Sequence, residues 1–118
     1  MRILYKLLSV VFLSFVLAVS AHAGEITPRD AAQHVGEHST VVGVVSQVAN
    51  SGKGTTFINF GGRYPNHTFY AVIFKKHGHK FPSVYGYEGR TIAITGTIKL
   101  YKGKPQIILS SPDQVQVR

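Results

Sequence analysis

Flat aromatic side chains are concentrated in one short segment of the sequence, TTFINFGGRYPNHTFYAVIF, residues 55–74. Phe57, Tyr64 and Tyr70 lie there beside two hydrogen-bonding side chains, Asn59 and Arg63. An aromatic ring on an open surface can stack on a flat ligand, and amide or guanidinium groups beside it can supply polar contacts. The chemistry that this segment indicates is non-covalent binding, provided that the rings do not all face the protein core.

Positive charge accompanies these rings. Residues 24–118 contain eleven lysine and arginine residues against five acidic ones, a formal net charge of +6. An excess of that size attracts polyanions such as nucleic acid, lipopolysaccharide, anionic lipid or an acidic protein. Many exported proteins are basic without such a partner, so charge alone does not identify the ligand. The lysines expected to lie near the aromatic segment are Lys53, Lys75, Lys76, Lys102 and Lys104.

Catalytic and metal-binding chemistry has little support in the sequence. A metal-dependent nuclease needs carboxylates that together hold the cation, but the acidic residues are dispersed at Glu25, Asp30, Glu37, Glu88 and Asp113. There is no cysteine, and no serine lies in a nucleophile-elbow motif. His77 and His79, with His67 upstream, lack the further ligands at defined spacing that zinc requires. We therefore predict a protein that is not an enzyme and has no metal and no cofactor.

The first 23 residues have the features of a secretory signal peptide. Arg2 and Lys6 precede an apolar run over residues 7–19, and the small residues Ala21 and Ala23 surround a cleavage site. The run is too short for a comfortable membrane span of about 20 residues. The sequence therefore predicts a periplasmic or secreted protein, with no membrane span in the mature chain and a single small domain over residues 24–118.

A short helix is predicted at the start of this domain. Thr27 can cap its N-terminus, Pro28 suits its first position and Gly36 can end it. Its buried side would consist of Ala31, Ala32 and Val35.

Five strands are predicted after this helix. They are segments rich in β-branched and aromatic residues, bounded by glycine and proline, at residues 39–50, 55–60, 67–74, 90–101 and 102–111. Gly43 and Gly96 lie inside the first and fourth strands, where a bulge or bend fits the sharp coiling of a small barrel. The pattern predicts an all-β, five-stranded OB-fold (oligonucleotide/oligosaccharide-binding) barrel with a short N-terminal helix. A short β-sandwich is the competing architecture.

The most specific stretches of the sequence are FINFGGRYPN, FYAVIF and GTIKLYKGKPQIIL. Over about residues 40–116 the chain resembles small OB-fold domains of exported bacterial proteins, found alone or attached to extracellular nucleases. The resemblance implies an OB fold and points to nucleic-acid binding, although OB folds also bind sugars and proteins. In the anticodon-binding OB domains that it also resembles, an aromatic residue at the position of Phe57 stacks on a base.

Alternation along the strands predicts which rings face outward, because successive side chains point to opposite sides of a sheet. If the branched Ile58 faces the core, Phe57 and Asn59 point outward. In the following strand the hydroxyl of Tyr70 favours a wet environment, so Tyr70 is predicted to point outward as well. The inward set of the two strands is then Ile58, Phe60, Phe69, Ala71 and Ile73. A slip of one residue would reverse this assignment.

A ligand-binding surface is therefore predicted on the second and third strands and their loops. Its members would be Phe57, Asn59, Arg63, Tyr64 and Tyr70, with a rim of Lys53, Lys75, Lys76, Lys102 and Lys104. Stacking on the rings and lysine contacts to phosphates suit single-stranded nucleic acid with little sequence preference. The alternative function is a periplasmic module that binds a protein or an anionic envelope glycan on the same fold. In a plainer interpretation, Phe57 and Tyr70 are an ordinary packed cross-strand pair.

Overall fold

The computed structural model describes residues 24–118, so the predicted signal peptide at residues 1–23 lies outside the described part. The chain is mostly β. Its strands are β1 (Glu25–Ile26), β2 (His38–Asn50), β3 (Thr56–Phe60), β4 (Phe69–Ile73), β5 (Thr91–Thr97), β6 (Lys99–Tyr101), β7 (Lys104–Ile108) and β8 (Val115–Val117). Four short 3₁₀ helices lie at Pro28–His34, Lys75–Lys80, Val84–Tyr87 and Pro112–Gln114. Among these residues, no helix is long and apolar enough to cross a membrane.

The strands form one hydrogen-bonded sheet in the order β6-β7-β4-β3-β2-β5-β8, with β1 paired alongside β2. The long β2 belongs to both halves, since its first part pairs with β5 and its second part with β3. β4 and β7 run parallel. The described strands therefore form a single open sheet of eight, and the five-stranded barrel that the sequence predicted is not shown among them.

The predicted fourth strand is interrupted at Ile98, which is fully buried, and this divides it into β5 and β6. β5 pairs with β2, whereas β6 pairs with β7. Gly96 lies at this corner, and a Cβ there would come within 2.7 Å of Ile107 Cγ2. Glycine fits here because β5 and β7 approach closely at this point. The sequence also missed β1 and β8, which are too short for alternation to reveal.

The bulge of β2 lies at Ser46, whereas the pairing of β2 with β5 is regular at Gly43. Val45 pairs with Phe60 and Gln47 with Asn59, so Ser46 is an extra residue without a partner on β3. Such a bulge reverses the alternation of the strand. Gly43 has another role, since a Cβ there would lie 2.6 Å from Pro28 Cγ of the first 3₁₀ helix.

The predicted N-terminal helix is present as a 3₁₀ helix, Pro28–His34. Thr27 caps it as predicted, because its Oγ1 accepts a hydrogen bond from the Asp30 backbone N–H at 3.3 Å. Only Ala31 of the expected inner side is buried; Ala32 and Val35 are exposed. With three residues per turn, a 3₁₀ helix places Ala31 on a different side from Ala32 and Val35.

The predicted inward and outward orientation of the side chains of β3 and β4 is confirmed. The pairs Phe57 with Val72 and Asn59 with Tyr70 set the register. The core contains the whole predicted inward set, at 1% exposure or less: Ile58, Phe60, Phe69, Ala71 and Ile73. Phe57, Asn59 and Tyr70 consequently lie on the opposite, outer face of the sheet.

A tight turn precedes β7. Lys102 and Gly103 both have positive φ, 49° and 82°, which is the backbone of a two-residue hairpin turn of type I′. This turn joins β6 to β7 and carries Tyr101 and Lys104 at its two ends.

Candidate ligand-binding groove

The outer face of β3 and β4 forms the floor of a groove of about 690 Å³. Its sides are the second half of β2 with the following turn, the segment of residues 61–67 between β3 and β4, and the β6–β7 hairpin. Six of the ten predicted site residues line the groove: Phe57, Asn59, Tyr64, Tyr70, Lys102 and Lys104. The structure thus brings the aromatic set and the hairpin lysines together.

The other four predicted site residues are exposed and do not line the groove: Lys53, Arg63, Lys75 and Lys76. Lys53 lies in the turn after β2, next to groove residue Ser51, whose Oγ accepts from the Lys53 backbone N–H at 3.1 Å. The Lys75 side chain lies against Gly54 in the same turn, because a Cβ on that glycine would meet Lys75 Cγ at 2.8 Å. Lys53 and Lys75 therefore both lie at the turn after β2, in which Ser51 lines the groove.

Several groove residues were missed by the sequence analysis: Gln47, Ala49, Asn50, Ser51, Pro65, His67 and Tyr101. Gln47 and Ala49 face the groove because they pair with Asn59 and Phe57. Simple alternation from the buried Val45 would have placed both inward, and only the bulge at Ser46 turns them outward. Tyr101 could have been predicted as a groove residue because it is adjacent in sequence to Lys102, which was a predicted site residue.

Four aromatic rings form a continuous series through the groove. The ring centroids of Phe57 and Tyr70 are 5.9 Å apart, those of Tyr70 and His67 5.4 Å, and those of His67 and Tyr64 5.8 Å. These separations are typical of favourable aromatic contacts. Tyr64 is 73% exposed, and Tyr101, at the hairpin, is about half exposed. Exposed rings thus lie on two sides of the groove, the segment of residues 61–67 and the hairpin.

Tyr70 and Asn59 are buried, at 7% and 2% exposure, and this corrects the prediction of an open aromatic platform. They form the floor of the groove, because the segment of residues 61–67 folds back over the outer face. Alternation along one strand gives the direction of a side chain but not whether a loop covers it. Phe57 is half-buried, so its ring remains partly accessible.

Gln47 connects the covering segment to the sheet. Its side-chain Oε1 accepts hydrogen bonds from Asn59 Nδ2 at 3.0 Å and from the Tyr64 backbone N–H at 2.9 Å. Next to it, Ser46 Oγ accepts from the Gly62 backbone N–H at 3.1 Å. The bulged part of β2 therefore supplies two acceptors that position residues 61–67.

Lys104 holds the other end of the same segment. Its Nζ donates to the carbonyl oxygens of Pro65 and His67, at 2.5 and 2.8 Å, and lies 3.2 Å from His67 Nδ1. A lysine ammonium has three N–H donors, and here each has an acceptor within the protein. Lys104 was predicted to contact phosphate, but the structure gives it a structural role.

Lys102 remains available for a ligand at the hairpin. It is exposed, and its Nζ lies 5.4 Å from the centroid of the Tyr101 ring. A cation near an aromatic face is weakly attracted to it at an exposed site. Lys102 and Tyr101 therefore form a combined cationic and aromatic edge of the groove.

Two groove side chains have shifted pKa values. Burial, followed by the nearby Lys104 charge, lowers the pKa of His67. A neutral His67 accepts from Lys104 at Nδ1 and carries its proton on Nε2. Burial, followed by Tyr101, raises the pKa of Tyr70, so its hydroxyl stays protonated. His67 and Tyr70 thus contribute neutral hydrogen-bonding groups to the groove.

No carboxylate lines the groove in the described part of the chain. Glu25 pairs with Arg118 at 2.7 Å, Glu37 lies 3.1 Å from His34, and Glu88 accepts from a β2 backbone N–H. Within residues 24–118, no group of three or more histidine, cysteine or acidic side chains could hold a metal ion. His77 and His79 lie on the second 3₁₀ helix, outside the groove.

Acidification is expected to destabilise the protein through His67. Because the folded-state pKa lies below the ordinary value of 6.5, the unfolded chain takes up the proton first. The stabilising effect of neutral His67 is therefore complete above about pH 6.5 and is lost as the pH falls through the lowered value. Urea unfolding of wild type and His67→Asn at about pH 7.5 and about pH 5.5 tests this. The variant keeps an acceptor but cannot titrate, and it should lose less stability.

His77, whose pKa is also lowered, contributes with the same sign to both proteins, so the difference between them reports His67. An equal loss of stability in wild type and variant would contradict the prediction.

No family model matches this chain, and no curated protein sequence matches it. Solved structures do resemble it. OBody AM2EP06 bound to hen egg-white lysozyme has a TM-score of 0.55 and 13% identity, over 78% of this chain and 90% of that chain. For OBody AM1L10, also bound to hen egg-white lysozyme, the values are 0.53 and 16%, over 73% and 83%.

A chain assigned as an aspartyl-tRNA synthetase from Leishmania major Friedlin matches with a TM-score of 0.54 and 10% identity, over 81% of this chain but only 21% of that chain. At these identities the likeness concerns the fold alone. The fold therefore defines this chain as an OB-fold-like β protein.

Proposed function

We propose that this protein is an exported, non-catalytic OB-fold module that binds single-stranded nucleic acid in the groove. In this proposal β2, β3, β4, β5 and β7 correspond to the five strands of an OB barrel. Their antiparallel pairs and the parallel pair of β4 with β7 support the correspondence.

The observation that carries the proposal is the composition of the groove: rings, amides and lysine, without a carboxylate. Bases stack on aromatic side chains with about 1 to 3 kcal/mol each, and Phe57, Tyr64 and Tyr101 offer accessible ring surface. A carboxylate would repel the phosphates of a nucleic acid, and the described acidic side chains lie elsewhere.

The phosphates of the ligand would follow the rim of the groove. Lys102 lies at the hairpin, while Lys53 and Lys75 adjoin the opposite turn. These three lysines are exposed. Lys104 does not take part, because its donors are engaged by the protein.

Export is part of the proposal and depends on the signal peptide predicted at residues 1–23. A periplasmic or secreted location would restrict the ligand to nucleic acid outside the cytoplasm. N-terminal sequencing of the protein recovered from the periplasm or the culture medium tests this: cleavage after Ala23 supports export, and an intact N-terminus in the cytoplasm argues against it.

Binding should weaken strongly as salt rises. With three lysine–phosphate contacts on a single strand, the slope of log K against log salt concentration is expected to be about −2. Fluorescence anisotropy with a labelled oligodeoxynucleotide of about 12 nucleotides, at several salt concentrations, measures it. Affinity that does not change with salt, or no binding at low salt, would overturn the proposal.

A second candidate is a module that binds a folded protein. It is favoured by the OBody structures, in which chains of similar fold are bound to hen egg-white lysozyme, and by the exposed Tyr64, Leu100 and Tyr101 near the hairpin. An anionic envelope glycan is the other alternative ligand that the sequence analysis proposed. In the same anisotropy experiment, displacement of the oligonucleotide by a purified envelope glycan would favour that ligand.

A further inference from the structure

The amide groups of Gln47 and Asn59 have defined orientations. The Tyr64 backbone N–H donates to Gln47 Oε1, and since a backbone N–H can only donate, reversing the Gln47 amide would break this bond. The same Oε1 accepts from Asn59 Nδ2, so the Asn59 amide cannot be reversed either. One backbone donor thus determines how both side chains are oriented.

Two polar atoms of this pair have no protein partner among residues 24–118. Gln47 Nε2 is a free donor, and Asn59 Oδ1 is a free acceptor. Asn59 is only 2% exposed, but neither atom is sealed inside the protein, and both side chains line the groove. A buried polar side chain with an unused acceptor normally has a partner. The ligand or water must supply it here.

The amide pair lies next to the stacking surface. Gln47 pairs with Asn59, and Ala49 pairs with Phe57, two steps apart on the β2–β3 ladder and therefore on the same face of the sheet. Phe57 and Asn59 are two residues apart on one face of β3, a separation of about 7 Å. A base that stacks on Phe57 can therefore direct its polar edge towards the two amides.

Charge also distinguishes the floor from the rim. The floor contains the neutral amides and the Tyr70 hydroxyl. Of the two lysines that line the groove, Lys104 has its three donors engaged and Lys102 lies at the hairpin. A phosphate placed there would have no free cation as a partner. A neutral base edge fits the floor better, with the sugar-phosphate backbone outside.

We propose that Gln47 Nε2 and Asn59 Oδ1 read the hydrogen-bonding edge of one base, so that the groove discriminates between bases. This inference rests on the proposed function. Each base offers donors and acceptors in its own order along its edge, and a donor and acceptor held in a fixed order cannot satisfy all bases equally. The low sequence preference expected from stacking alone is thereby replaced by a preference for one base at this position.

The test compares labelled oligo-dT, oligo-dC and oligo-dA of equal length at one salt concentration by fluorescence anisotropy. The affinities of wild type should differ by on the order of ten- to a hundredfold between the best and the worst sequence. In Asn59→Leu, which is similar in size but lacks the acceptor, the ratio should fall to about threefold or less. Gln106→Met is the matched control: Gln106 is a buried amide paired with Tyr70, but it lies outside the groove. Its ratio should equal that of wild type.

A second variant keeps the test valid if Asn59→Leu does not fold. In Gln47→Glu, a carboxylate oxygen can still accept from Asn59 Nδ2 and the Tyr64 N–H, but the free donor is lost. The added charge weakens all sequences alike, so the readout is again the ratio, which should change. Equal affinity of wild type for the three sequences, or a ratio that Gln47→Glu and a folded Asn59→Leu both preserve, would overturn the inference and leave the proposed function intact. If no oligonucleotide binds, the proposed function itself is overturned.

Discussion

Lys104→Met is expected to lower the free energy of unfolding by about 2 kcal/mol, while the salt dependence of oligonucleotide binding remains that of wild type. The Lys104 ammonium donates to two carbonyl oxygens and contacts His67 Nδ1. Methionine keeps the apolar stem but removes all three interactions with the segment that covers the groove. Affinity should fall at every salt concentration by a similar factor, because the segment is no longer positioned.

Lys102→Met is the matched control for this prediction. Lys102 is exposed, and its only described contact is with the Tyr101 ring. The change should hardly affect stability but should make the salt slope shallower by about 0.7, the loss of one phosphate contact on a single strand. Urea unfolding and anisotropy titrations measure the two quantities. If Lys104→Met made the slope shallower and left stability unchanged, Lys104 would be a phosphate ligand.

The second large effect concerns the Phe57 ring. Phe57→Leu should weaken oligonucleotide binding about tenfold, because leucine fills much of the same volume but cannot stack with a base. Stability should fall by about 1 kcal/mol or less, since Phe57 lies outside the core and is half-buried. The salt slope should not change. Anisotropy titrations and urea unfolding separate these effects.

Phe74→Leu provides the control, since this exposed phenylalanine follows β4 and does not line the groove. It should bind like wild type. Should Phe57→Leu lose stability by several kcal/mol with unchanged affinity, the Phe57 and Tyr70 pair would be a packing contact only, and the stacking surface would have to be sought at Tyr64 and Tyr101.

The sequence by itself determined which side chains of β3 and β4 face the core and which face outward. Both strands are short and free of bulges. Placing the branched Ile58 in the core puts Phe57 and Asn59 on the other face, and the hydroxyl of Tyr70 indicates the same face for Tyr70. The Thr27 cap and the turn at Lys102 and Gly103 were predictable for a similar reason. Each depends on the chemistry of a few neighbouring residues, which the sequence contains completely.

Only the tertiary structure decided which residues complete the groove. Gln47 faces outward because Ser46 is an extra residue opposite β3, and an extra residue appears only when two strands are aligned. Residues 61–67 fold back over the sheet, and Tyr70 therefore lies at the floor of the groove. The same fold brings Pro65 and His67 to Lys104, on a strand far away in sequence, where Lys104 donates hydrogen bonds to both. Local patterns determine the direction of a side chain, but its exposure and its partners depend on contacts between distant segments.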